Sequence, residues 1–96
     1  MRKITQQAIQ AFNNNENFKQ GNTRVEVTET NVYLILHKTK IAIKTPDNHL
    51  YINTGGYSTK TTKERLNGLE NVRIVQKDYQ WYLNGNEWNG EKIKVK

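Results

Sequence analysis

Four short apolar runs, "TRVEVTE", "VYLILH", "KIAIKT" and "HLYIN", follow one another between residues 23 and 53 with only turn-forming residues between them. A parallel crossover takes roughly a dozen residues or more, so runs this closely spaced can pair only with antiparallel neighbours. The block therefore points to a mostly antiparallel sheet. "TRVEVTE" alternates, with Val25 and Val27 inward and Arg24, Glu26 and Thr28 outward, as in a half-buried strand. "VYLILH" is apolar on both parities, Tyr33 and Ile35 on one side and Leu34 and Leu36 on the other, which reads as a central strand covered on both faces. "KIAIKT" alternates again, setting Ile41 and Ile43 against Lys40, Ala42 and Lys44, and Pro46-Asp47-Asn48 breaks it.

Helical spacing appears on either side of this block. Ile4, Ala8, Ala11 and Phe12 fall on one stripe of a short helix that the triple Asn at 13–15 ends. "TTKERLNGL" predicts a second helix of about two turns. There Thr61 and Glu64 have the spacing of a capping box, Leu66 points inward and Gly68 is placed for a left-handed C-cap. "VRIVQK", "QWYL", "NEW" and "EKIKVK" predict a terminal meander with turns near Asp78-Tyr79, Asn84-Gly85 and Asn89-Gly90. Strand groups with two helices indicate an α+β fold: one small domain over 1–96, a mostly antiparallel sheet of about six to seven short strands, an N-terminal helix and a short capped helix between the strand groups.

Ninety-six residues suffice for a modest core but leave little room for a deep substrate cavity. The chain is polar, with 34% apolar residues and a mean hydropathy of −0.92, yet its apolar residues cluster in periodic runs, which argues against disorder. It has no cysteine, hence no disulfide or thiolate chemistry. "MRKITQQAIQAF" lacks the apolar core of a signal peptide, and no run approaches the ~18 residues of a membrane span, so a soluble protein with no membrane association is expected.

The formal net charge is +6, and residues 31–96 hold eleven basic against six acidic side chains. That balance favours an anionic partner, nucleic acid first; the plainer reading is an AT-rich genome, which enriches Lys and Asn, and the chain has thirteen Asn. By strand parity Lys38, Lys40 and Lys44 share a face, as do Arg73 and Lys77, and Lys92, Lys94 and Lys96. Combined in one sheet they would track phosphates, with Tyr51, Tyr57, Tyr79, Tyr82 and the tryptophans as stacking platforms beside them. The plainer reading is that lysines on exposed strands prevent edge-to-edge aggregation. Trp81, mid-strand, reads as core; Trp88, between two Asn-Gly pairs, reads as partly exposed and a candidate anchor for a protein partner, with Tyr79 and Tyr57 beside it.

Catalysis finds no foothold in the sequence. "NTGGYSTKTTKERL" fails as a phosphate-binding loop because Thr54 and Thr59 stand where that motif needs glycine. His37 and His49 have no ligand partners at metal spacing, and no nucleophile–base pair is readable. A non-enzyme with no catalytic residues, no metal and no cofactor is expected.

"FKQGNTRV", the "LILHKTKIAI" strand pair, "TTKERLNGL" and "WYLNGNEWNG" together resemble a group of short proteins of tailed bacteriophages without an established activity. The resemblance covers most of the chain. It implies phage origin and a single small domain and brings no catalytic residues; with no signal peptide or membrane span in the sequence, the host cytoplasm is the expected location. The expected function is that of a phage accessory protein acting by binding, nucleic acid favoured through Lys38, Lys40, Lys44, Arg73, Lys77, Lys92 and Lys94. The alternative is a module that binds and inhibits a host protein, such as a defence factor, through Trp88, Tyr79 and Tyr57; a minor virion or assembly component is the weaker one. An open sheet edge makes a homodimer a further expectation.

Overall fold

The computed structural model describes residues 2–96. Its elements are α1 (Lys3–Asn13), β1 (Phe18–Gln20), β2 (Thr23–Val27), β3 (Val32–Leu36), β4 (Thr39–Lys44), β5 (Leu50–Ile52), α2 (Lys60–Leu66), β6 (Ile74–Lys77), β7 (Gln80–Leu83), β8 (Asn86–Glu87) and β9 (Ile93–Lys94). The expected α+β architecture holds: an antiparallel six-stranded sheet in the order β1-β2-β3-β4-β5-β9, a three-stranded sheet β6-β7-β8, and a helix before and between the strand groups. The described residues form nine strands where six or seven were expected: β1, three residues long, lies in a segment too short to show alternation, while the expected "NEW" and "EKIKVK" segments pair only through the two-residue β8 and β9. No helix among the described residues is long and apolar enough to cross a membrane.

Both helices lie on one face of the large sheet, α1 against β1, β2 and β3, and α2 against β4 and α1. Ala8, Ile9, Ala11 and Phe12 of α1 meet Val25, Leu34, Ala42 and Ile52 of the sheet in one core, which Trp81 and Leu83 of β7 and Trp88, just after β8, also join. The buried stripe of α1 is centred on Thr5, Ala8, Ile9 and Phe12, leaving Ile4 half-buried.

The terminal meander differs from expectation. Asn84 (φ 51°) and Gly85 (φ 89°) make the anticipated tight turn between β7 and β8. At Asn89-Gly90 the chain instead leaves the small sheet, and β9 joins the large one beside β5, pairing Lys94 with Tyr51 and Ile93 with Ile52. Gly90 marks the crossing point: its carbonyl accepts from the Thr54 amide at 3.0 Å, and a Cβ there would overlap the Thr54 side chain.

The caps of α2 also differ. Thr59, not Thr61, is the N-cap, its Oγ1 accepting from the Thr62 amide at 3.1 Å. Glu64 is drawn away to α1, because Arg65 beside it is wholly buried and needs a counter-charge. Gly68 is not left-handed; a Cβ on it would lie 2.6 Å from Ile9 Cγ1, so its glycine lets the end of α2 approach α1.

Arg65 joins three elements. Its Nε donates to Thr23 Oγ1 of β2 at 3.0 Å, and its Nη1 to Thr5 Oγ1 of α1 at 2.7 Å and to Glu64 Oε1 at 2.5 Å. The Thr5 hydroxyl donates to Glu64 Oε1, and the Arg2 amide before α1 donates to Oε2 at 3.3 Å. Burial raises the Glu64 pKa, but the bonds from Thr5, Arg2 and Arg65, with the Arg65 charge, outweigh it and hold the carboxyl below its ordinary value of 4.5. A depressed carboxyl stabilises the fold above its unfolded pKa, and that stability is lost as pH falls through the folded one. Glu64→Gln is therefore expected to cost about 3 kcal/mol at neutral pH, since it leaves a buried guanidinium without its counter-charge. In urea unfolding followed from pH 7 down to below the ordinary carboxylate range, the variant loses less stability on acidification than the parent.

Candidate nucleic-acid interface

The face of the large sheet opposite the helices carries two rows fixed by strand register. One runs Glu26–Tyr33–Ile43–Tyr51–Lys94 across β2, β3, β4, β5 and β9, and the other Lys19–Arg24–Ile35–Lys40 across β1 to β4. Residues opposite one another in a ladder point to the same side. Lys92, just before β9, adds its ammonium over the Tyr51 ring at 5.3 Å, as Lys40 does over Tyr33 at 4.3 Å. The result is a patch of Tyr33, Ile43 and Tyr51, each half-buried, ringed by five cations and one carboxylate.

Here β3 departs from the expectation of a strand covered on both faces. Ile35 is 1% exposed, yet it lies outside the core cluster, on the side away from the helices. Its register partners are Arg24 and Lys40, whose aliphatic stems flank it. Ile35 is thus buried on a face that neither helix covers.

A β-bulge decides which lysines reach this face. Leu34 pairs with Ala42, but Ile35 pairs with Lys40, so Ile41 is an extra residue on β4. Side-chain parity reverses there. Ile41 and Ala42 are both buried, Ile43 turns outward with Lys40, and Lys44 goes to the helix side. The predicted common face of Lys38, Lys40 and Lys44 is thereby broken. Lys44 Nζ instead donates to the carbonyls of Phe12 at 2.8 Å and Asn13 at 3.5 Å, closing the C-terminal end of α1. Burial pushes the Lys44 pKa down, Lys96 nearby adds to this, and Glu70 opposes it.

Of the seven predicted cations, then, Lys40, Lys92 and Lys94 come together. Lys38 is exposed in the two-residue turn between β3 and β4. Lys77 ends β6 of the small sheet and Arg73 directly precedes that strand, both on the parity of the exposed Val75. Lys19, Arg24 and Tyr33 are members of the patch that sequence reasoning left out. Arg24 was legible as outward-facing, but only register places it beside Ile35 and Lys19.

The three aromatic candidates separate as well. Trp88 is 2% exposed, contrary to the expected partial exposure. It stands where the chain crosses between sheets: its amide donates to the Trp81 carbonyl at 3.0 Å, its Nε1 to the Glu91 carbonyl at 2.9 Å, and the two indoles lie 6.4 Å apart. Tyr57 is exposed on the loop after β5. Tyr79 is 98% exposed at the tip of the β6–β7 turn, where Asp78 (φ 52°) and Tyr79 (φ 66°) hold the left-handed backbone that Asn-Gly adopts more readily.

A family model described as Kyanoviridae Gp96 protein matches residues 1–95. The chain belongs to that bacteriophage family. No curated protein and no solved structure matches it. For this Gp96-family chain, membership fixes a phage origin and leaves function to be argued from the surface.

Two substitutions should move stability in opposite directions. Trp88→Ala empties the junction of the two sheets and is expected to cost about 3–5 kcal/mol. Tyr79→Gly removes an exposed ring from a left-handed position and is expected to raise stability by up to about 1 kcal/mol. Urea unfolding by circular dichroism reads both.

Proposed function

We propose that the protein acts by binding rather than catalysis, and that it binds single-stranded nucleic acid across the open face of the large sheet. The observation that carries this reading is the row Tyr33–Ile43–Tyr51 with Lys40, Lys92, Lys94, Arg24 and Lys19 around it. Tyr33 and Tyr51 stand two strands apart, about 10 Å at the usual strand spacing. Unpaired bases can stack on such rings while the cations hold phosphates; a duplex keeps its base faces inside and offers the rings nothing. The two ammonium groups over the rings are not an obstacle. An exposed cation–π contact is worth roughly 0.5–1 kcal/mol, less than the roughly 1–3 kcal/mol of a stacked base, so each lysine can swing aside to a phosphate.

Fluorescence anisotropy with labelled single-stranded and duplex DNA and RNA tests this. Binding at low salt should favour single strands and weaken steeply as salt rises. Lys40→Glu with Lys94→Glu should lower affinity by about tenfold or more and flatten the salt slope by roughly 1.4, two contacts' worth on a single strand. Arg73→Glu, off this face, should change it little. No binding at low salt refutes the proposal.

A second reading, capture of a host protein, is favoured by one feature. Tyr79 is held almost fully exposed in a costly backbone conformation, with the exposed Val75 on the adjoining strand. On this reading a host protein captured from lysate is lost with Tyr79→Gly and survives moderate salt; capture that is unchanged by the substitution removes Tyr79 as the anchor.

A further inference from the structure

Away from the sheet face, a cavity of about 560 Å³ opens between the β3–β4 turn, the loop after β5 and the start of α2. Its size falls within the range of small-ligand sites. Leu36 and Ile41, both buried, supply apolar lining, and Thr39 and Thr61 bring hydroxyls. Tyr57 lines it while remaining 64% exposed, and so do His37 and Lys38 of the turn. No carboxylate is among its lining residues, and Lys60 lies between two of them, Thr59 and Thr61.

The walls are fixed in place. Thr54 is buried and holds the loop from within: its Oγ1 accepts from the Gly56 amide at 3.3 Å, and its carbonyl accepts from the Tyr57 amide at 3.0 Å. Gly55, at φ 62°, lies so close to Thr39 that a Cβ would overlap that side chain. The opposite wall is set by the Thr59 cap of α2 and by the Thr59–Thr62 hydroxyl pair at 3.0 Å. Tyr57 is thus presented at an apolar opening rather than folded over it.

From this we infer that the cavity is a mononucleotide site, taking a base against Tyr57 and the Leu36–Ile41 surface and a phosphate at Lys38. Three properties select that class. A ring in contact with Tyr57 gains stacking area, which any base offers. The threonine hydroxyls both donate and accept, so they can pair with a base edge or a sugar hydroxyl. The cationic rim without carboxylates complements an anion and repels cationic ligands. A simple aromatic acid would satisfy the ring and the charge but leave the hydroxyl-bearing walls without partners. The inference is independent of the sheet-face reading, since none of the cavity's residues belongs to either outer row.

Titration of the isotopically labelled protein with AMP, GMP, CMP and UMP to millimolar concentration, read by amide chemical shifts, tests it. Saturable shifts are expected for residues 36–41 and 54–62 with at least one of the four. Tyr57→Ala and Lys38→Ala, both at exposed positions, should each weaken that binding by roughly tenfold. Absence of saturable shifts with all four overturns the inference. So do shifts confined to the two outer rows of the sheet, or inorganic phosphate alone binding the same cavity residues equally well. A capped oligonucleotide that binds there more tightly than the monophosphate would identify the terminus of a strand, rather than free nucleotide, as the source of the same ligand chemistry.

Discussion

Arg65 is a guanidinium with no exposure to solvent in a 96-residue protein, and the arrangement of the helices on the sheet depends on how it is satisfied. Taking such a charge out of water costs several kcal/mol, and only good geometry with a counter-ion returns it. Glu64 provides the counter-charge from the same helix, Thr5 a hydroxyl from α1, and Thr23 a hydroxyl from β2. Thr5 can donate to Glu64 because it accepts from Arg65, so each member fixes the orientation of the next. Nη2 is left without a hydrogen-bond partner among the described residues. An apolar side chain would fill the space, but it would not tell α1 where to sit along β2; the directional bonds do. Gly68 belongs to the same junction, since Ile9 of α1 occupies the space a Cβ would need.

With both helices on one side, the other side of the sheet has to manage its own apolar residues. The bulge at Ile41 matters here because it shares the residues of β4 between two duties. Without the extra residue, period-2 alternation would put Lys40 and Lys44 on one face. With it, Lys44 closes the end of α1 while Lys40 lies over Tyr33 on the open face. One local irregularity thus places one cation in the architecture and another on a surface available to an anion.

This explains where sequence reasoning succeeded and where it stopped. Element types, the mostly antiparallel pairing, the burial of Trp81 and the Asn84-Gly85 turn were legible, because each follows from periodicity or turn chemistry within a few residues. Three features were not. The bulge leaves no mark in "KIAIKT", which alternates acceptably in either register. The crossing at Gly90 looks like another hairpin turn until Thr54, 36 residues earlier, is found against it. Glu64 matched a local capping pattern, but a buried arginine one residue away competed for it and won. The candidate site was half legible for the same reason. Lys40, Lys92 and Lys94 followed from parity, whereas Lys19, Arg24 and Tyr33 joined them only through register.

The open face also resolves the tension between structure and function that a lysine-rich sheet poses. Ile35 is as buried as any core residue, although no helix covers it, and the aliphatic stems of Arg24 and Lys40 stand beside it. Those stems are apolar and their heads are charged, so one side chain can shield Ile35 and present a cation at once. When a head moves off a tyrosine ring, the atoms nearest the sheet need not move. The charged heads therefore lie on the part of each side chain that the fold does not use, and they can shift without uncovering Ile35.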